Sequence, residues 1–453
     1  MQSGQTKNGV GMTVAACLWL GLFPLMQFGT YSSITKDKWT CMLILTAVTA
    51  ACFFADMLCR RLSKPRLLPL VTGAALIAWM TVSSLACPYP NNPWWLGAGR
   101  REGLATQLCY LGVFFMFLFS RVRRGPVLVC AGAGLCGFAA VVLLQRTGGN
   151  PLGLYPKGYS FENAPHFQGT IGNIDMCSGY LLILCGLFFP ALVDQVRALF
   201  RTFRKTAAPA VPAQDPGAVP AGRPARTRLL RLLCILALLF LLAACVWLFI
   251  TMDVRTGLLT LAVLIGWTFV RFLPKKFRVP VLILLIAAVL AFAWYYPGQN
   301  STLYELHEVL HGRARYTFGS GRVGTWIYCA KLLSEGEHLL LGTGPDTFVL
   351  RFNNFLNKYF DEHPDAERLK YYYDNPHNDY LALLLNCGIP AVLLFLVLML
   401  GGCFGREVWR DAVLCYGIQL LLSFSICMIA PMFWAVLGIA WSKRSREPSL
   451  PAS

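Results

Sequence analysis

The sequence predicts an all-α, polytopic membrane protein with about twelve transmembrane helices and one large extracytoplasmic loop. Of its 453 residues, 56% are hydrophobic and only 14% are charged, whereas soluble domains carry about 25% charged residues. Apolar runs of about 20 residues, the length that crosses a bilayer, recur along the whole chain. Polar residues are concentrated instead in one long segment, 297–379.

Twelve apolar runs are assigned as transmembrane spans. In chain order they are 9–28, 39–58, 67–86, 104–119, 126–145, 174–193, 229–250, 257–273, 279–296, 380–402, 411–426 and 428–442. The last two are short, and a single bent helix is the alternative there. Eleven spans would place the basic C-terminal tail outside, so twelve is the preferred count.

Basic residues predict the orientation. With the N-terminus inside, most of the 40 lysines and arginines fall in cytoplasmic segments, as the positive-inside rule expects. Both termini are therefore predicted to be cytoplasmic. The net charge of +18 then reflects topology and attraction to anionic membrane lipids, so it requires no nucleic-acid partner.

Composition divides the chain into three parts. Residues 1–193 form an N-terminal bundle of about six spans, and 194–228 form a basic, Pro- and Ala-rich cytoplasmic linker. Residues 229–453 form a C-terminal membrane domain that contains the outer loop 297–379.

The first span has no clear small-residue cleavage site after it and is interpreted as a retained anchor. The 17 cysteines lie mostly in predicted helices and show no disulfide framework.

Arg255 lies in a short outer turn, Met252–Gly257, where the positive-inside trend disfavours arginine. A structural explanation is a side chain that extends to the interface or pairs with Asp253. The functional explanation is a phosphate clamp, for which a guanidinium is well shaped.

Arg322 follows Gly319-Ser-Gly321 and begins a predicted amphipathic helix. Glycines permit close approach of a ligand, and a helix N-terminus beside an arginine favours anions. The alternative is a solvent-exposed arginine in the first turn of a helix.

His377 ends the polar loop directly before a predicted span, so it can contact both water-borne and lipid-borne groups. Histidine is well suited to proton transfer near neutral pH, which predicts a general base or a hydrogen-bond donor. Asp374 or Asp379 could orient the ring. The structural alternative is a residue at the start of a helix.

A rival motif is His307-Glu308-Val309-Leu310-His311, which matches H-E-x-x-H. On a helix this spacing places two imidazoles on one face for zinc, with the glutamate as base and Glu335 as a possible third ligand. Gly312 and a basic run follow at once and the extended metalloprotease pattern is absent. A solvated helix is therefore preferred to a zinc protease.

Four stretches together resemble the O-antigen ligase family, which includes related polymerases and oligosaccharyltransferases of bacterial surface glycans. They are Gly169-Thr-Ile-Gly-Asn173 before an apolar run; Val254-Arg-Thr-Gly257; Gly319-Ser-Gly-Arg322 with Trp326 and Leu341-Gly-Thr-Gly344; and His377-Asn-Asp-Tyr-Leu381. In the second stretch Thr256 interrupts the family's [ST]-R-G turn. The order of the motifs, the large outer loop and the twelve spans agree with the family.

The resemblance implies a metal-independent, inverting glycosyltransferase of the membrane-embedded GT-C type, with no cofactor. The donor would be a glycan on undecaprenyl diphosphate, and the acceptor a hydroxyl of a glycan, lipid or protein at the outer face of the cytoplasmic membrane. The family's two arginines and histidine correspond to Arg255, Arg322 and His377. The further candidates for substrate binding are Arg100, Arg101, Asn173, Asn378 and Tyr380.

A rival of another class is a flippase or carrier for the same lipid-linked glycans, in which the arginines bind but do not react. The sequence has no G-x-x-x-x-G-K-[ST] loop, so nothing in it indicates ATP-driven transport.

Overall fold

The computed structural model describes residues 9–90, 93–207, 224–296, 298, 302–369, 374–404 and 408–442. Both chain termini, which are predicted to be cytoplasmic, lie outside the described residues, as do parts of the linker and of the outer loop.

The described residues form sixteen α-helices and one small β-hairpin. The helices are α1 (Val10–Cys17), α2 (Ile34–Leu58), α3 (Leu67–Leu85), α4 (Pro93–Leu96), α5 (Leu104–Leu118), α6 (Arg124–Arg146), α7 (Ile174–Ala207), α8 (Pro224–Thr251), α9 (Arg255–Phe272), α10 (Lys275–Trp294), α11 (Thr302–Leu310), α12 (Arg322–Ser334), α13 (Phe348–Glu362), α14 (Asp379–Cys403), α15 (Val408–Gln419) and α16 (Ala430–Trp441). The antiparallel strands β1 (Phe167–Gln168) and β2 (Gly172–Asn173) pair Phe167 with Asn173.

Among the described residues, eight helices are long and apolar enough to cross a membrane: α2, α3, α6, α7, α8, α9, α10 and α14. Shorter apolar helices occupy Val10–Leu25, Leu104–Leu118 and Ala430–Trp441. The prediction of a polytopic helical membrane protein is confirmed. The most apolar part of α7 is 83% buried and that of α10 only 6%. We therefore place α7 at the centre of the bundle and α10 at its edge.

Two predicted boundaries differ from the structure. The predicted linker 194–228 is helical at both ends, because α7 continues to Ala207 and α8 begins at Pro224. The predicted span 411–426 is helical only as far as Gln419, and α16 begins at Ala430. The alternative of one bent helix over this region is therefore wrong.

The described part of the predicted outer loop 297–379, hereafter the outer segment, has a small core of its own. Tyr328 and Leu332 of α12 pack with Phe352 and Leu356 of α13. Gly388 kinks α14 with φ +78°, and a Cβ there would lie 1.9 Å from the carbonyl oxygen of Leu340. Only glycine permits this approach, which holds the outer segment against the helix that follows His377.

Candidate active site

The break between α15 and α16 lies at the centre of the candidate site. Residues 420–429, hereafter the 420–429 loop, are not helical, yet Leu420, Phe424 and Ile429 are each at most 3% exposed. Backbone polar groups inside a membrane protein need protein partners or a water-filled cavity. For this loop several partners come from distant segments, and those segments carry many of the predicted site residues.

The stretch His377–Leu381 forms hydrogen bonds to this loop and to α15. The backbone N–H of Asp379 donates to the Leu420 carbonyl at 2.9 Å, and the Asp379 carboxylate accepts the Ser425 N–H at 3.2 Å. The Tyr380 hydroxyl donates to the Gly417 carbonyl at 2.9 Å. Asn378 caps α14, since its side chain accepts the Leu381 N–H at 3.0 Å. The side chains of Asn378 and Tyr380 therefore bind backbone groups and hold the start of α14 in place.

His377 itself has a left-handed backbone, with φ +53°, which costs on the order of 1 kcal/mol outside glycine. Its Nδ1 lies 3.1 Å from the Asn375 carbonyl oxygen, and its ring meets Phe424 edge-on at 5.0 Å. Burial, followed by the positive charge of Arg322, lowers the pKa of His377 to about 4, while the charge of Asp175 opposes this shift. The imidazole is therefore neutral near pH 7.

Arg322 bridges the 420–429 loop and α7. A turn with left-handed residues at Gly319, Ser320 and Gly321 reverses the chain just before Arg322, which begins α12. One guanidinium nitrogen donates to the Leu422 carbonyl at 2.9 Å, and the other donates to the Asp175 carboxylate at 3.0 Å. Both charged side chains are about one-fifth exposed (21% each), so the pair remains accessible to a ligand.

Asp175 was not predicted as a site residue. The β-hairpin ends at Asn173, whose side chain accepts the Asp175 N–H at 2.8 Å and so begins α7. Asn173, predicted to bind substrate, thus positions the carboxylate that pairs with Arg322. A signal was available: Asp175 is an acidic residue in the first turn of a predicted span, in a chain with few charges in its apolar runs.

Arg100 and Arg101 have different surroundings. Arg100 donates to the Asp374 carboxylate at 2.6 and 3.2 Å, and its guanidinium lies over the Phe424 ring at 4.8 Å. Arg101 lies over the Trp39 ring at 5.4 Å. Arg100 therefore reaches the same aromatic ring as His377, whereas Arg101 contacts α2.

Arg255 is not in direct contact with this group. Its side chain is 66% exposed and lies 3.4 Å from Asp253 and 3.5 Å from Thr302 at the start of α11. The Glu305 carboxylate of α11 accepts the Gly319 N–H at 3.0 Å, in the turn before Arg322. The structure thus brings His377, Arg322 and Arg100 together, whereas Arg255 is connected to Arg322 through α11.

The rival motif on α11 has structural contacts. The His307 and His311 rings lie 4.1 Å apart, and His311 stacks on Trp294 at 4.0 Å. Glu308 accepts two hydrogen bonds from Arg313, at 2.7 and 3.0 Å. In the part of the chain that the structure describes, no group of three His, Cys, Asp or Glu side chains is placed to hold a metal.

Residues 228–396 match a family model described as O-antigen ligase. The match includes Arg255, Arg322 and His377, but it begins after Asp175 and ends before the 420–429 loop. No curated protein matches the chain at a significant level.

Proposed function

Through residues 228–396 the chain belongs to the O-antigen ligase family, and from this premise we propose that it is a membrane glycosyltransferase. It transfers or polymerises a glycan from undecaprenyl diphosphate onto an acceptor hydroxyl at the outer face of the cytoplasmic membrane. The observation that carries the proposal is that His377 and the Arg322–Asp175 pair meet at the 420–429 loop, where the His377 ring contacts Phe424 and Arg322 donates to the Leu422 carbonyl.

The donor half of the reaction needs positive charge. When the sugar–oxygen bond to the diphosphate breaks, the bonding electron pair stays on the diphosphate oxygen, and a fixed guanidinium stabilises that charge. Arg322 meets this need because Asp175 and the Leu422 carbonyl hold it in place. Arg255 is exposed and joins the diphosphate once the donor is bound. Because arginines supply the charge, the proposed mechanism is metal-independent.

The acceptor half needs a base. The acceptor oxygen forms a new bond to the anomeric carbon from the side opposite the diphosphate, so the configuration inverts, and the hydroxyl proton passes to His377. In the free protein the charges of Arg322 and Arg100 depress the pKa of His377. A bound diphosphate offsets those positive charges, which raises the pKa and makes the imidazole a stronger base when it is needed.

The test is a deletion strain complemented with the His377→Asn variant. Asparagine tolerates the left-handed backbone at this position but cannot act as a base. Wild type restores glycan transfer, and His377→Asn leaves glycan on the lipid carrier. His363→Asn is the matched control, because His363 is also in the outer loop and its Nδ1 also lies 3.1 Å from a backbone carbonyl.

Where the lipid-linked glycan accumulates separates transfer from translocation. Labelling of intact cells with an impermeant reagent reaches the glycan if transfer is blocked, whereas a flippase defect leaves it on the inner side. Long chains on the carrier indicate a ligase, and single repeats indicate a polymerase. Full complementation by His377→Asn would overturn the proposed role of the histidine.

A further inference from the structure

A cavity that is partly open to solvent lies next to the segment that carries His377, lined by residues of α3, α5, α14, α16 and the 420–429 loop. We propose that this cavity receives the acceptor, and that the group it takes is an uncharged, hydroxyl-bearing sugar and not one that carries phosphate. The proposal rests on the proposed function, because it divides the site into a donor side and an acceptor side.

The charges in the cavity wall disfavour an anion. The wall contains four carboxyl groups, Glu102, Asp346, Asp374 and Asp379, against a single guanidinium, that of Arg100. Arg100 is already bound through two hydrogen bonds to Asp374. Asp346 accepts three backbone N–H groups, as an ionised carboxylate does. A phosphate-bearing acceptor would therefore meet a negative charge here and no unpaired positive charge among the described residues of the lining.

The same carboxyl groups suit sugar hydroxyls, which both donate and accept hydrogen bonds. Burial raises the pKa of Glu102 well above its usual range and that of Asp346 to about 6. A carboxyl group that keeps its proton donates one hydrogen bond and accepts others. At pH 7 Glu102 therefore keeps its proton whereas Asp346 is mostly ionised, so the lining contains both a neutral carboxyl group and a carboxylate that accepts hydrogen bonds.

An independent observation indicates a missing polar partner. Asn386 lines the cavity, and its side-chain oxygen is buried with no hydrogen-bond partner among the described residues. Buried polar atoms are normally paired, and an orphaned one requires an explanation. Four aromatic residues share the wall: Tyr110, Phe395, Phe433 and Trp434. A concave lining in which aromatic side chains and convergent polar groups meet is typical of a ligand site.

Asn375 connects the cavity with His377. Asn375 lines the cavity, and its side-chain oxygen accepts the His377 backbone N–H at 2.9 Å. Arg322 lies outside the cavity lining, bound to Asp175 and the Leu422 carbonyl. His377 is thus connected to the cavity through Asn375 and lies in the field of Arg322, which is outside the cavity.

The experiment measures sugar binding to the full-length protein in nanodiscs by saturation-transfer NMR. The probes are methyl N-acetylglucosaminide and its 6-phosphate. We expect the neutral sugar to bind, and the phosphorylated one to bind about tenfold more weakly or worse. Equal or tighter binding of the phosphorylated sugar, or no binding of the neutral one, would overturn the proposal.

Two variants place the binding in the cavity. Asn386→Leu removes the orphaned oxygen, and Ala382→Leu fills space in the wall, so both should abolish binding of the neutral sugar. Asn353→Leu is the matched control, since Asn353 also has a buried, unpartnered side-chain oxygen but lies on α13, away from the cavity. Unchanged binding in both cavity variants, or equal loss in the control, would contradict the assignment.

Binding of undecaprenyl diphosphate in the same nanodiscs tests the donor side separately. Arg322→Gln should weaken it and leave sugar binding unchanged. If the sugars bind as expected but Arg322→Gln does not weaken the binding of undecaprenyl diphosphate, the donor proposal fails and the cavity assignment stands. If Arg322→Gln does weaken that binding but the neutral sugar does not bind, the cavity assignment alone fails.

Discussion

The outer segment contains two histidine motifs, His307–His311 on α11 and His377–Leu381 at the start of α14, and their contacts differ. The first has contacts close by in the chain: its two rings lie 4.1 Å apart at an interplanar angle of 39°, and its glutamate pairs with Arg313. The second reaches the 420–429 loop and lies in the field of Arg322, Asp175 and Arg100. The more familiar pattern thus has local contacts, whereas the less familiar one joins distant parts of the chain.

The sharpest way to break this comparison is to exchange each histidine for asparagine. His377→Asn should lower the rate of glycan transfer by about 100-fold to 10,000-fold, the usual contribution of a positioned base. His311→Asn should leave the rate within about twofold. The measurement is the initial transfer rate of purified protein, with and without a chelator. A chelator-sensitive rate, or a large loss in His311→Asn, would reverse the ranking of the two motifs.

The paired arginines offer the next largest contrast. Arg322→Gln should lower kcat by about 100-fold to 1,000-fold, as expected when a group that stabilises developing charge is removed. Arg313→Gln also removes an arginine that pairs with a carboxylate, but it should lower the melting temperature and spare the rate. Transfer rates and thermal unfolding of both variants check this. Equal rates in the two variants would contradict a role for Arg322 in the reaction.

Arg255 should have a smaller effect than Arg322. Its side chain is exposed and contacts Asp253 and Thr302, so we expect Arg255→Gln to raise KM by about tenfold and to lower kcat less. Steady-state kinetics against the lipid-linked donor provide the measurement. A loss of kcat as large as that of Arg322→Gln would show that Arg255, at the start of α9, contacts the diphosphate in the transition state.

The pH profile gives the finest distinction. With a pKa of about 4 in the free protein, His377 stays unprotonated above that pH. Its protonation should therefore cause no fall in kcat/KM as the pH is lowered from 8 to 5. An ordinary histidine would lose activity through about pH 6.5. Arg322→Gln removes a positive charge and should move the acid limb to higher pH. A wild-type limb near 6.5 would contradict the depressed pKa.

The same pKa shift affects folding. The unfolded chain binds a proton at this histidine before the folded chain does, so the contribution of His377 to stability is complete above about pH 6.5 and is lost as the pH falls towards 4.

The sequence by itself predicted the membrane fold, which is confirmed, and named His377, Arg322 and Arg255 as candidate site residues, whose roles stay predictions. Long apolar runs can satisfy their backbone in a bilayer only as helices, which is why the spans could be read locally. Asn173 and Asn378 also occupy the helix starts that local capping rules predict. Their side chains accept hydrogen bonds from backbone N–H groups at those helix starts.

Only the tertiary structure decided how the site is assembled. The stretch Leu420–Ile429 is apolar enough to be mistaken for helix, yet it unwinds because its backbone groups bind the side chains of Arg322, Asp379 and Glu102. Asp175 belongs to the site because Arg322, 147 residues later, binds its carboxylate. Such bonds depend on which segments fold side by side, and a periodicity that spans one helix contains no information about them.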